Sequence, residues 1–316
     1  MGRYIVIRVI QAIILLVLVS IITFVLIHIA PGGPSAMMLD NKLSPQRIAQ
    51  MQKNLGLNQP IPVQYLKWVG NMLHGNFGVS YADSRPVLSD IGARLPNTLI
   101  LSGTAFGLAL LVSIPVGIYG ANRAHTRADD FVSGISFIGL AIPVFWFGIL
   151  LIIIFSVKLG WLPSSGMYST NQPPSVLDLI KHLIMPAIVL AVPTAAVFVR
   201  FVRASVLETL QQDFVRTARS KGLSRQAVTY RHVLRNSLIP IITIVGLSLP
   251  AVVGGAAITE SVFGWPGMGQ LAVSAAFTRD YPTVMAITIL VAAVVIIVNL
   301  LTDLVYVLID PRVRLN

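Results

Sequence analysis

Residues 9–30 run through apolar side chains with no acid, lysine or arginine among them. A helix needs about 20 such residues to cross the roughly 30 Å hydrocarbon core of a bilayer, so the run predicts a membrane span. Five further apolar stretches follow, at 97–119, 134–157, 183–202, 237–258 and 284–308. Six crossings return the chain to the side on which it began. Between the first two, prolines at 31, 34, 45, 60, 62 and 86 interrupt a mixed polar segment that ends near Leu95. Within it SPQRIAQMQKNLG predicts a capped helix stopped by Gly56, and VQYLKWVGNMLHGNFG an amphipathic helix carrying Tyr65, Trp68, Met72 and Phe77. Two readings of those aromatics stand: they meet the membrane surface or a partner, or they pack a small fold outside the bilayer.

The one long polar interruption is DFVRTARSKGLSRQAVTYRHVLRNSLIP, residues 213–240, in which Arg216, Arg219, Lys221, Arg225, Arg231 and Arg235 face the single acid Asp213. Basic residues concentrate on the cytoplasmic side of membrane proteins. Arg3, Arg8, Arg123, Arg127, the block from Arg200 to Arg235, Arg312 and Arg314 all fall on one side of the six-span pattern. Both termini are therefore expected inside, and residues 31–95 outside. Asp213 is placed to cap a helix of about two turns, Gly222 to end it in a left-handed conformation, and Ser224 to cap a second helix. Phe214 and the small Ala218 share one face by spacing, where a partner can approach closely.

Composition sharpens the class. Of 316 residues 55% are hydrophobic and 11% charged, with a mean hydropathy of +0.80, which excludes an ordinary soluble globule. The net charge of +11 clusters beside apolar spans and is not interleaved with aromatics, so it describes topology and not nucleic-acid binding. The absence of cysteine excludes disulfides and thiol chemistry. The first apolar run exceeds the 7–15 residues or so of a signal peptide, and no small-x-small site follows Ile29, so retention is expected.

Candidate chemistry is sparse. Prolines at 115, 143, 186, 193, 240 and 250 fall in or at the ends of spans, where a missing N–H bends a helix and lets it line a path. AIPVFWFG, with Pro143, Phe145 and Trp146, is the leading path-lining candidate. Asn299 and Asp303 share a face of the last span, and a carboxylate at that depth pairs with Arg200 or Arg203 unless it snorkels to water. No G-x-x-x-x-G-K-[ST] occurs, so ATP is not bound through a P-loop here. The spans lack the acid and histidine chains of proton-coupled carriers, and neither metal spacing nor a Ser-His arrangement supports an enzyme. A secondary transporter or channel fits the composition but leaves the two-helix polar loop unexplained.

That loop resembles the one shared by permease subunits of binding-protein-dependent ABC importers. The usual motif is Glu-Ala-Ala, three residues, Gly, and later Ile-x-Leu-Pro. Here stand Arg216, Thr217 and Ala218, then Gly222, then His232, Leu234 and Arg235, so the Glu and the Pro are absent. The fuller run RTARSKGLS, followed by RHVLRNSLIP, is similar to the dipeptide and oligopeptide (peptide/nickel) branch, where those departures are usual. ITESVFGWPGMGQL at 258–271 and NLLTDLVYVLIDPRVR also resemble that branch, while its usual Pro-Gly-Asp-Pro reads Pro31, Gly32, Gly33, Pro34. The likeness spans residues 8–314.

The resemblance implies an all-α integral membrane protein of six transmembrane helices with the type I ABC importer permease fold and an extracytoplasmic segment after the first helix. Residues 1–95 would form the N-terminal tip, first helix and extracytoplasmic segment, 96–309 the permease core with a coupling loop at 203–236, and 310–316 a tail. Asp213, Phe214, Arg216, Thr217, Ala218, Lys221 and Gly222 would dock on a separate ATPase. Glu260 at the membrane boundary, with Phe263 and Trp265 as apolar plugs, would form an outer gate; interfacial anchoring is the other reading of Trp265. Expected partners are a second similar permease, two cytoplasmic ATPases that bind ATP and Mg, and an external binding protein that delivers peptides. No cofactor is expected in this chain, which would sit in a bacterial or archaeal cell membrane. Nickel, glutathione and other small solutes are the alternative cargoes.

Overall fold

The structure, a computed structural model, describes residues 2–29, 59–254 and 256–309. Among these every regular element is helical, and an isolated bridge between Val79 and Pro86 closes one loop. In chain order the helices are α1 (Gly2–Ile29), α2 (Ile61–Leu73), α3 (Val87–Asn122), α4 (Arg127–Ala141), α5 (Val144–Leu151) and α6 (Val176–Leu210). They continue with α7 (Asp213–Ser220), α8 (Leu234–Gly254), α9 (Ala257–Val262), α10 (Met268–Phe277) and α11 (Tyr281–Ile309). Two π-helical stretches join this framework: Ile152–Lys158 prolongs α5, and Val228–Val233 leads into α8. The expected helix around residues 44–56, the Pro31–Pro34 run and the tail lie outside the described residues.

Among the described residues five helices are long and apolar enough to cross a membrane: Val6–Ile29, Val87–Asn122, Val176–Leu210, Arg231–Pro250 and Tyr281–Thr302. The span expected at 134–157 is not a single rod. Its two halves, α4 and α5, meet at a bend of 96°, and a sixth crossing is obtained by counting the pair as one. The cause is local. Pro143 lacks the N–H that would continue α4 and its ring pushes Ile142 out of the helical region, to φ −72° and ψ 123°. Pro186, Pro193, Pro240 and Pro250 are accommodated inside their helices.

The chain forms two compact units. The first comprises Met1–Pro96 and Leu271–Leu300. Here Phe24 and Ile27 of α1 and Tyr281 and Met285 of α11 are buried, with Tyr65 and Trp68 of α2 packed against them. The Phe24 and Tyr65 rings meet edge to face at 5.4 Å, and the Tyr65 hydroxyl lies 2.7 Å from Ser20 Oγ. Of the two readings of the α2 aromatics, internal packing describes Tyr65 and Trp68; Phe77 lies beyond the end of α2. Asp280 is nearly fully buried and accepts bonds from Ser80 Oγ at 2.6 Å, Tyr81 N at 3.0 Å and Thr283 Oγ1 at 2.8 Å. Burial, and then the neighbouring Asp280 carboxylate, push the Tyr81 phenol above its usual range.

The second unit comprises Asn97–Gln270 and Leu301–Asn316. α6 supplies side chains to three cores among the described residues. Ala187, Ala191 and Phe198 pack with Leu101, Ala105 and Trp265, while Met185 and Val189 pack with Leu151 and Phe263. Val202 and Val206 pack with Ile118, Ala121, Val215 and Val233. Ser175 caps α6, accepting from Asp178 N at 3.2 Å. Lower on the helix Ser205 Oγ donates to Ser237 O at 3.1 Å and Ser237 Oγ to Thr209 Oγ1 at 3.0 Å, holding α8 against α6 with small hydroxyl residues.

Asp280→Ala removes the shared acceptor of three buried donors and should cost about 3 kcal/mol, read as a lower thermal midpoint of the purified protein in detergent. Asp83→Ala, on the exposed part of the loop that carries Ser80 and Tyr81, should stay within about 0.5 kcal/mol. Equal effects would remove Asp280 from its role as the centre of this unit.

Candidate functional site

Two features of the second unit carry the sequence-derived candidates. The first is α7. Gln212 occupies its N-cap position without a side-chain bond, and Asp213 stands in the first turn instead of capping it. There its charge still favours the positive end of the helix. Gly222 follows with φ +80° and open space where a Cβ would be, and Ser224 Oγ accepts from Ala227 N at 3.3 Å to start the next helical turn. The turn is thus built from a residue free to take a left-handed conformation followed by a capping hydroxyl.

The facing of α7 corrects the expectation for Ala218. Val215 and Ala218 are buried together against Ile118 and Ala121 of α3, Val202 and Val206 of α6, Val228 and Val233 of the π-helical stretch, and Ile241 of α8. Phe214, Arg216, Thr217, Arg219 and Ser220 face outward, Phe214 at 39% exposure, with Lys221 and Leu223 beside them. In eight residues with cations on several positions, the apolar pair one turn apart at 215 and 218 sets the inward phase. Ala218 is small because helix ends crowd it from within the subunit.

The second feature is the carboxyl group of Glu260 on α9, which has no exposed surface. Thr98 Oγ1 donates to Oε1 and Gln270 N to Oε2, each at 2.9 Å, and Thr98 Oγ1 in turn accepts from Met268 N at 2.7 Å. The chain from 260 to 270 therefore folds back around its own side chain. Trp265 is also fully buried, its Nε1 donating to Asn97 O at 2.9 Å, while Asn97 Nδ2 donates to Pro266 O at 2.9 Å. The glycines of WPGMG are required by this closeness. A Cβ on Gly267 would fall within the Glu260 carboxyl group, and one on Gly269 would lie 2.5 Å from Ala257 Cα. Phe263 and Trp265 consequently serve as packing inside the subunit, and neither projects as a free plug.

The remaining candidates separate. Pro143 forms the break between α4 and α5, with Phe145 and Trp146 about half exposed beyond it. Arg203 is paired with Asp129 of α4, through Nε to Oδ1 at 2.5 Å and Nη2 to Oδ2 at 2.6 Å. Arg200 stands over the Phe137 ring, 5.0 Å from its centre. The side chain of Asp303 lies outside the described residues. Sequence reasoning missed Asn97, Thr98 and Asp129. Asp129 follows the basic pair of residues 123 and 127 at a helix start, a signal for a first-turn acid but not for its partner 74 positions away. Among the described residues no cluster of three or more His, Cys, Asp or Glu is placed to hold a metal ion.

Comparison with known proteins fits this architecture. Residues 113–315 match the family described as binding-protein-dependent transport system inner membrane component, and residues 1–102 match its N-terminal membrane component. The chain is 45% identical over 315 residues to the oligopeptide transport system permease protein AppB of Bacillus subtilis, covering 99% of this chain and all of that one. It is 36% identical over 318 residues to the dipeptide transport system permease protein DppB of Escherichia coli K12, covering 94% of each. A structure of the MetNI methionine ABC transporter in an inward-facing conformation superposes with a TM-score of 0.58 at 18% identity, over 72% of this chain and 99% of that one, a likeness of fold. The chain belongs to the inner membrane component family of binding-protein-dependent transport systems, and it is an integral membrane protein with the fold of ABC importer permeases.

Two substitutions test the packing just described. Gly267→Ala should cost about 3 kcal/mol through overpacking against Glu260, and Ala218→Glu about 4 kcal/mol through an unpaired charge in the α7 core. Both should lower the amount of monodisperse protein recovered in detergent, whereas Gly222→Ala, strained only by its positive φ, should cost about 1 kcal/mol. Normal recovery of Ala218→Glu would contradict the inward facing of that residue.

Proposed function

We propose that this member of the family is the membrane-spanning subunit of an ATP-driven peptide importer, and that α7 is the element on which a separate ATPase acts. The observation that carries this reading is the two-sided character of α7. Its inner face is fixed to the ends of α3, α6 and α8, while its outer face and the turn after it offer Phe214 and Leu223 among Arg216, Arg219 and Lys221. A body that grips the outer face and moves takes three membrane helices with it, which is the differential contact that coupling requires. The relatives named for oligopeptide and dipeptide transport favour peptides as cargo over nickel, glutathione or another small solute.

In this reading a second similar permease completes the path, two ATPases hold ATP and Mg, and an external binding protein delivers the peptide. Both termini and the 203–236 loop face the cytoplasm, in keeping with the basic residues there. The Glu260 hub fixes the loop at the outer end of the path, and the break at Pro143, with Phe145 and Trp146, lines part of it. The divisions at 1–95, 96–309 and 310–316 follow these roles. This chain contributes no catalytic group of its own.

Phe214→Ala and Arg216→Glu should leave permease levels in the membrane unchanged while lowering, together, ATPase co-purification and peptide uptake. Unchanged co-purification with both variants would make α7 a simple connector. The purified chain alone should neither hydrolyse ATP nor accumulate peptide in liposomes, and proton-driven uptake by it alone would overturn the proposal.

A further inference from the structure

A pocket of about 650 Å³ opens on the second unit between α4 and α6, lined by Ser133, Phe137, Val197, Phe201 and Ala204 together with Arg200 and Arg203. The two arginines are not equivalent. Arg203 is held by both oxygens of Asp129. Arg200, one turn away, contacts only the face of Phe137, and among the described residues no carboxylate pairs with it. It is exposed within a helix long and apolar enough to span a bilayer. A cation in that position faces a water-filled cavity or takes an anion.

The surface around it is unlike a lipid-facing one. From Ile13 to Ile29 the exposed side chains of α1 are all aliphatic, among them Ile13, Ile14, Val17, Leu18 and Leu26. The exposed stripe of α6 instead reads Val197, Arg200, Phe201, Ala204, Glu208, placing both signs of charge within about two turns. That pattern suits water and a passing solute. The volume lies within the range of roughly 300–1,000 Å³ usual for small-ligand sites. Its walls are apolar and aromatic, which accept side chains of many shapes without selecting one. Its polar side chains are Ser133, Arg203 held by Asp129, and Arg200, whose guanidinium fork matches a carboxylate.

We propose that this pocket is part of the substrate path and that Arg200 receives the C-terminal carboxylate of a passing peptide. The inference rests on the peptide reading above and adds to it the group that handles the one charge every unmodified peptide carries at that end. Exposure of Arg200 keeps the contact weak enough to release, as passage demands.

The chain contains no cysteine, so single cysteines report cleanly. Ala204→Cys and Val197→Cys would each be placed in the complete complex in membranes without nucleotide. Each would be treated with impermeant thiosulfonates of negative or positive charge, the labelling read from the mass of this chain. The expected result is several-fold faster labelling by the anionic reagent, a preference lost in Arg200→Gln. A dipeptide with a free carboxylate should slow labelling, its C-terminal amide should not, and Arg200→Gln should abolish the protection. No labelling at either cysteine, as lipid or the second permease over the pocket would produce, overturns the proposal. So does labelling indifferent to Arg200, or equal protection by the amide. Uptake measured in parallel separates the two readings. Peptide uptake without carboxylate-selective protection removes Arg200 from the path and leaves the proposed function standing; absence of any peptide uptake removes the substrate on which both rest.

Discussion

Gly117 of α3 has no side chain because Val202 of α6 occupies the space, 2.7 Å from where a Cβ would sit. This close approach sets the spacing around α6, the most buried of the candidate spans. Hydrocarbon tails are as apolar as the helices themselves, so helices in a bilayer are held by close packing and by polar groups bonded across the contact. α6 uses both. Gly139 of α4 approaches Val192 in the same manner, and the hydroxyls of Ser205, Thr209 and Ser237 bond α8 to the opposite side. Each of the three cores described in the second unit includes part of this helix, so displacement of α6 is felt in all three.

A second constraint is the satisfaction of buried polar groups. Glu260, Asp129 and Asp280 are each nearly or fully buried, and each accepts at least two bonds with good geometry. An unpartnered carboxyl in such a place costs several kcal/mol. The three are accordingly found where a loop must be held to a helix or one helix to another. Arg200, exposed and with no carboxylate partner among the described residues, stands out against this background.

Much of the architecture was legible in the residues. Span existence follows from length and hydropathy, and the turn after α7 from Gly222 and Ser224, because those signals are local. The break at Ile142 and Pro143 was less so, since averaging hydropathy across a proline conceals a bend. The inward phase of α7 was misread from Phe214 and Ala218, because eight residues give two turns and the deciding contacts come from α3, α6 and α8. The partners of Glu260 and Arg203 lie 162 and 74 positions away, a separation that no short pattern encodes.

The division of α7 into an inner and an outer face has an evolutionary consequence. Packing within the subunit rests on Val215 and Ala218, and in the proposed coupling recognition of the ATPase rests on Phe214, Arg216, Arg219 and their neighbours. Because the two sets do not overlap, the outer residues are free to diverge alongside a changing partner without unsettling the helix beneath them. Duplicated transport systems in one cell can in this way keep the same scaffold and still avoid exchanging motors.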